Sequence, residues 1–166
     1  FGLVQLGQAA TSLGEGELAY HCLKHLVNRF WLNNLASMHN HRSLFNMDIS
    51  GGMPAVIIKM LAASEPGRIQ LLPALPRAWP AGTIEGVLCR GQIEIRSLQW
   101  SPGKVLVSLK TARKQRITLD LPWDITHFAA NKGDALVERG NSKNCLVVTL
   151  PAEQEVTLEI RTESRS

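Results

Sequence analysis

Ser64-Glu65-Pro66-Gly67-Arg68-Ile69-Gln70-Leu71-Leu72-Pro73-Ala74-Leu75-Pro76-Arg77-Ala78-Trp79-Pro80-Ala81-Gly82-Thr83 separates two halves with different apolar periods. Each proline in it fixes φ and removes a backbone donor, so no helix crosses the stretch and a domain boundary falls within it. Upstream, apolar residues recur every three or four positions. Leu3, Leu6, Ala10 and Leu13 predict a first helix packed through that face, and Ala19, Leu23, Leu26 and Phe30 predict a second. Gly14 and Gly16 interrupt the pattern between them, which predicts an antiparallel helical hairpin. From Leu32 to Ser50 the chain turns polar, a connection longer than helix pairs need, and loops of that length are often functional. Gly51-Gly52-Met53-Pro54 then leads into the apolar run Ala55 to Ala63. With Pro54 in a first helical turn, a third helix is expected to begin near Met53.

Downstream the period is two. Ile93-Glu94-Ile95-Arg96, Val105-Leu106-Val107-Ser108-Leu109, Ile117-Thr118-Leu119-Asp120-Leu121 and Val156-Thr157-Leu158-Glu159-Ile160 read as half-buried antiparallel strands. Turn signals at Gly91, Pro102-Gly103, Asn131-Lys132-Gly133 and Gly140-Asn141 space about seven or eight such runs as a sandwich would. The fold class is therefore α+β, with helices over 1–64, a proline-rich connector over 65–82 and an antiparallel β domain over 83–166.

Composition narrows the function classes. With 45% hydrophobic and 19% charged residues, the 166-residue chain can bury a core. Its formal net charge of +4 is too small an excess to argue for a nucleic-acid partner, and Arg113-Lys114-Gln115-Arg116 reads as a solvated turn. No apolar run approaches the roughly 20 residues of a membrane helix, so no membrane span is expected. Cys22, Cys89 and Cys145 form no CxxC pair and are odd in number, so reduced or buried thiols are expected. The chain opens on Phe1 with a helical pattern already running by Leu3, which reads as a C-terminal fragment.

Several residues carry candidate chemistry. His21 and His25 share one face of the second helix as two metal ligands would, but without a carboxylate motif beside them they read as partly buried histidines, and no metal is expected. His39-Asn40-His41 clusters titratable and amide side chains in the long loop, a candidate substrate contact. On local evidence Asp48 or Ser50 reads as the cap of the third helix, and Gly51-Gly52 alone is a weak anion signal. Trp79, Trp100 and Trp123 lie near turns, where packing is the better reading than a carbohydrate platform.

Phe45-Asn46-Met47-Asp48-Ile49-Ser50-Gly51-Gly52, continuing through Ile57-Ile58-Lys59-Met60-Leu61, resembles the end of the catalytic domain in glycoside hydrolase family 95, the inverting α-L-fucosidases. Leu71-Leu72-Pro73-Ala74-Leu75-Pro76, followed by Trp79-Pro80, is similar to that family's LLPALP…WP segment, which leads from its last barrel helix into a C-terminal β domain. Gly2 to Asn28 is similar to the preceding helical hairpin. The resemblance implies that residues 1–64 are the last helices of an (α/α)6 barrel, with a β-sandwich domain appended. It also implies a glycan substrate, no cofactor, a partner in the upstream part of the same barrel and a secreted or periplasmic parent. Asp48 matches the family's aspartate in FQIDGN, which acts on the water side, and His39, Asn40, His41, Asn46 and Ser50 are the implied sugar contacts. The general-acid glutamate would lie upstream, so this chain alone is expected to be inactive. Ile49-Ser50 stands where the family has Gly-Asn, and Arg42-Ser43-Leu44 where it has His-Pro-Pro, so the sugar is expected to be an α-L-fucoside, an α-L-galactoside or another α-linked sugar. The competing reading is a non-catalytic carbohydrate-binding or interaction module built from a helical hairpin and a β sandwich. That reading needs further copies of the hairpin, and the sequence offers one.

Overall fold

The computed structural model describes residues 1–40 and 43–163. They fall into two units, a helical one of Phe1–Leu61 with Pro73–Ala78, and a β unit of Ala62–Leu72 with the chain from Trp79 onward. The helical unit holds α1 (Gly2–Ser12), α2 (Gly16–Phe30) and α3 (Met47–Leu61). α1 ends in a left-handed turn at Gly14, φ +75°. There Glu15 N–H donates to the Ala10 carbonyl at 2.9 Å and Gly14 N–H to that of Thr11 at 3.1 Å, which satisfies carbonyls the helix end would leave bare. A Cβ on Gly16 would lie 2.7 Å from the Ala74 carbonyl oxygen, so only glycine lets α2 start against the Pro73–Ala78 segment.

Two expectations for the helices need correction. The buried face of α1 is Val4, Gly7, Ala10 and Thr11, whereas Leu6 and Leu13 are exposed. Small residues win this face because the helices approach closely. A Cβ on Gly52 would sit 2.5 Å from Val4 Cγ1, and one on Gly7 would sit 3.3 Å from Val56 Cγ1. The two Gly–Val pairs interlock and run in the same sense along α1 and α3. The second correction is the start of α3, which lies at Met47 and not near Met53, with Pro54 inside the helix. Gly51-Gly52 does not interrupt it, since Gly52 serves the crossing. On α2 the expected face holds, with Ala19, Leu23 and Leu26 buried.

The helices leave apolar surface uncovered. Gly2, Leu6, Ala9 and Leu13 make one exposed stripe along α1, and Met47, Gly51, Pro54 and Ile58 make another along α3. Of twelve exposed large apolar residues among those described, ten lie in the helical unit and only Leu88 and Leu136 in the β unit, so the uncovered surface belongs to the helices.

The β unit stacks two five-stranded sheets. One has the order β1 (Ala62–Glu65), β2 (Arg68–Leu71), β6 (Gln115–Asp120), β9 (Cys145–Leu150), β8 (Leu136–Arg139). The other runs β3 (Gly82–Cys89), β4 (Ile93–Ser101), β5 (Lys104–Thr111), β10 (Glu155–Thr162), β7 (Ile125–Lys132). Eight strands thus run from Gly82 onward, and two more come from the segment around Pro66-Gly67, whose Gly67 takes φ +77° in the β1–β2 turn. All pairings are antiparallel except β2 with β6, where Arg68 Nε meets Asp120 Oδ2 at 2.5 Å. Alternating residues fill the core, including Ile69, Leu71, Ile117, Leu119, Leu146 and Val148 from the first sheet. Trp100 is buried, donates its indole N–H to the Trp79 carbonyl at 3.0 Å and fills the space a Cβ on Gly82 would need. Cys22, Cys89 and Cys145 are free and buried, and burial raises each thiol pKa above its ordinary value.

Candidate functional site

The loop joining α2 to α3 is a folded frame and not an open connection. Trp31 bridges Ser37, and Met38 bridges Phe45. Met38 N–H donates to the Phe30 carbonyl at 2.8 Å, His39 N–H to Leu44 at 2.6 Å and Asn46 N–H to Ser37 at 2.8 Å. Ser37, fully buried, ties the loop to α3. Its hydroxyl donates to the Asn46 carbonyl at 2.5 Å, so the 2.6 Å contact with Ser50 Oγ must be Ser50 donating to Ser37. Asn46 Oδ1 accepts from Ile49 N–H at 3.0 Å, which makes Asn46 the cap of α3 in place of Asp48 or Ser50.

Asp48 therefore stands exposed in the first turn of α3, where the helix dipole favours a negative charge. His39 is exposed on the loop, and its Nδ1 lies 3.1 Å from Asn40 Oδ1. Because the partner is an amide oxygen, Nδ1–H is the donor in that contact. His41 lies outside the described residues, as does Arg42. His39, Asn40, Asn46, Asp48 and Ser50 are thus carried by one hydrogen-bonded loop and the helix turn it feeds. An exposed carboxylate with hydroxyl, imidazole and amide groups on the same frame can accept a proton from water and hold sugar hydroxyls.

The helical unit offers no second carboxylate nearby. Its other acids, Glu15 and Glu17, lie at the start of α2, and Glu17 accepts from Arg77 N–H at 2.6 Å. The 13 residues from Glu17 to Phe30 place the far end of α2 about 20 Å away, well beyond the about 6.5–9.5 Å between the groups of an inverting pair.

His21 and His25 are exposed, not partly buried, and the His25 ring packs 5.9 Å from that of Phe30. Among the described residues no group of three or more His, Cys, Asp or Glu is placed to hold a metal.

Sequence reading passed over two features. Ser37 looks like any loop serine until the fold buries it. An open depression of about 690 Å³, lined by Asn28, Arg29, Trp31, Asn33 and Asn34 with Leu32 and Met38, lies at the same loop. The signal for it was a tryptophan followed closely by two asparagines.

A comparison with curated proteins gave no match. Residues 63–160 match Glycoside hydrolase family 95, C-terminal domain, and cover the β unit almost end to end. On that match, which spans more than half of its length, this chain belongs to glycoside hydrolase family 95.

Proposed function

We propose that the chain is the C-terminal part of an inverting α-L-glycosidase that cleaves α-L-fucosyl or related α-L-glycosyl linkages, with Asp48 as the base. As water attacks the anomeric carbon, Asp48 takes one of its protons. An acid from the upstream part of the barrel protonates the leaving oxygen as the glycosidic bond breaks. His39, Asn40, His41, Asn46 and Ser50 contact the sugar, and the parent acts outside the cytoplasm on glycans. The observation that carries this reading is Asp48, exposed at the loop end of α3 in a member of family 95 and relieved of capping by Asn46. The apolar stripes on α1 and α3 add support, since preceding barrel helices would cover them.

The test is proton NMR of the full-length parent acting on 4-nitrophenyl α-L-fucoside and on its α-L-galactoside analogue. The reading predicts that the β-anomer of the free sugar appears first. First formation of the α-anomer, or no turnover of either compound, would contradict it.

A further inference from the structure

Ser37 is fully buried, and its hydroxyl reaches across the loop to two distant residues. It donates to the Asn46 carbonyl at 2.5 Å, nine residues on, and accepts from Ser50 Oγ at 2.6 Å, thirteen residues on. Asn46 N–H returns a bond to the Ser37 carbonyl at 2.8 Å, so that pair is closed in both directions. Asn46 and Ser50 stand two places before and two places after Asp48, about one helical turn apart. Met47 and Asp48 are exposed, so packing of their own side chains does not fix them. The turn is held instead by Ile49, which is fully buried, and by Ser37. Ser37 is in turn set by the end of α2, since Trp31 bridges it and Met38 N–H donates to the Phe30 carbonyl at 2.8 Å. One partner is enough to satisfy a buried hydroxyl. This one joins the end of α2 to both sides of the proposed base.

Resting on the reading above, we infer that Ser37 is a positioning residue for catalysis, holding the first turn of α3 so that the Asp48 carboxylate meets the attacking water. Being buried, it acts through Asn46 and Ser50 and not on the sugar. Its importance follows from the tolerance of the step. A general base works within about 2.6–3.2 Å of the proton's heavy atom, and a misplacement of about 1 Å can cost about a hundredfold in rate.

The experiment is a double-mutant cycle in the full-length parent. kcat is measured on whichever of the two aryl α-L-glycosides the wild type hydrolyses, and circular dichroism gives each protein's folded fraction at the assay temperature. Ser37→Ala should lower kcat about tenfold to a hundredfold in the enzyme that carries Asp48. In the Asp48→Asn background it should lower kcat by less than about twofold, because no base is left to misplace. A serine with a merely structural role would lower both backgrounds by the same factor. Such an equal loss, or no loss in either background, would overturn the inference. Should Ser37→Ala not fold, Ser37→Cys, close in size and a weak donor, goes through the same cycle with the same expectation. Full turnover by Asp48→Asn alone, or no turnover by the wild type, would instead reject the proposed base or the glycosidase reading, and this inference with it.

Discussion

Asn46 fixes where α3 begins. Its side-chain oxygen takes the Ile49 N–H, and its backbone pairs both ways with Ser37. Removing that oxygen leaves a helix donor without its protein partner, so Asn46→Ala should cost about 1 kcal/mol in urea unfolding followed by helical circular dichroism. Asn46→Asp should be nearly neutral, because aspartate caps as well. Equal stability of all three proteins would show that the cap lies elsewhere. The sequence alone points at Asp48 and Ser50 for this role, because a proline at position 54 suits a first helical turn. Gly51-Gly52 looks like a break only when the Val4 side chain seated on Gly52 is out of sight.

At the level of elements, strand alternation was largely legible, because a half-buried strand writes its two faces directly into the order of residues. What alternation could not show is where the phase changes. In β4 the buried set passes from Ile93 and Ile95 to Leu98 and Trp100, and a register shift between Ile95 and Ser97 lets both pairs point inward. The parallel β2–β6 pair was equally hidden, since pairing direction depends on tertiary placement. In α1 the period and Ala10 were right but Leu6 and Leu13 were not, because leucines outweigh Gly7 in any hydrophobicity count while close packing selects the small residues. On β10, Glu155 bonds Lys132 at 3.0 Å and Glu159 bonds Lys104 at 3.0 Å, which holds both carboxyls below their ordinary pKa. A depressed folded value means that stability is present above the unfolded pKa, about 4.3, and is lost as pH falls through the folded one. The β unit should therefore melt at a steady temperature from pH 5 to 8 and less stably below about pH 4. These groups lie at the surface, so added salt should flatten the decline. A melting temperature that rises on acidification would contradict these pairings.

At the scale of the molecule, the two units carry different kinds of surface. The β unit closes its own core. The helical unit exposes Leu6 and Leu13 on α1, and Met47 and Ile58 on α3, in stripes without a charged residue. Such faces seek a partner, so the 166-residue chain by itself should self-associate, and Leu13→Lys with Ile58→Lys should shift it toward monomer in analytical ultracentrifugation. A wild-type chain that stays monomeric at high concentration would show that the stripes need no cover. Family membership was legible in the proline-tryptophan segment, and the match over residues 63–160 shows it. Of the two groups the proposed mechanism needs, the sequence offered a candidate for one, Asp48, since the other acids of the helical unit, Glu15 and Glu17, lie at the start of α2.

Asp48→Asn in the full-length parent tests the central claim most directly. Asn46 already caps α3, so the substitution costs only the dipole interaction, about 0.3–1 kcal/mol, and the melting temperature should hardly move. An amide cannot take a proton from water, so kcat on the aryl α-L-fucoside should fall by about two to four orders of magnitude, with sugar binding retained. Full turnover by a folded Asp48→Asn enzyme would contradict the account and remove Asp48 from the mechanism.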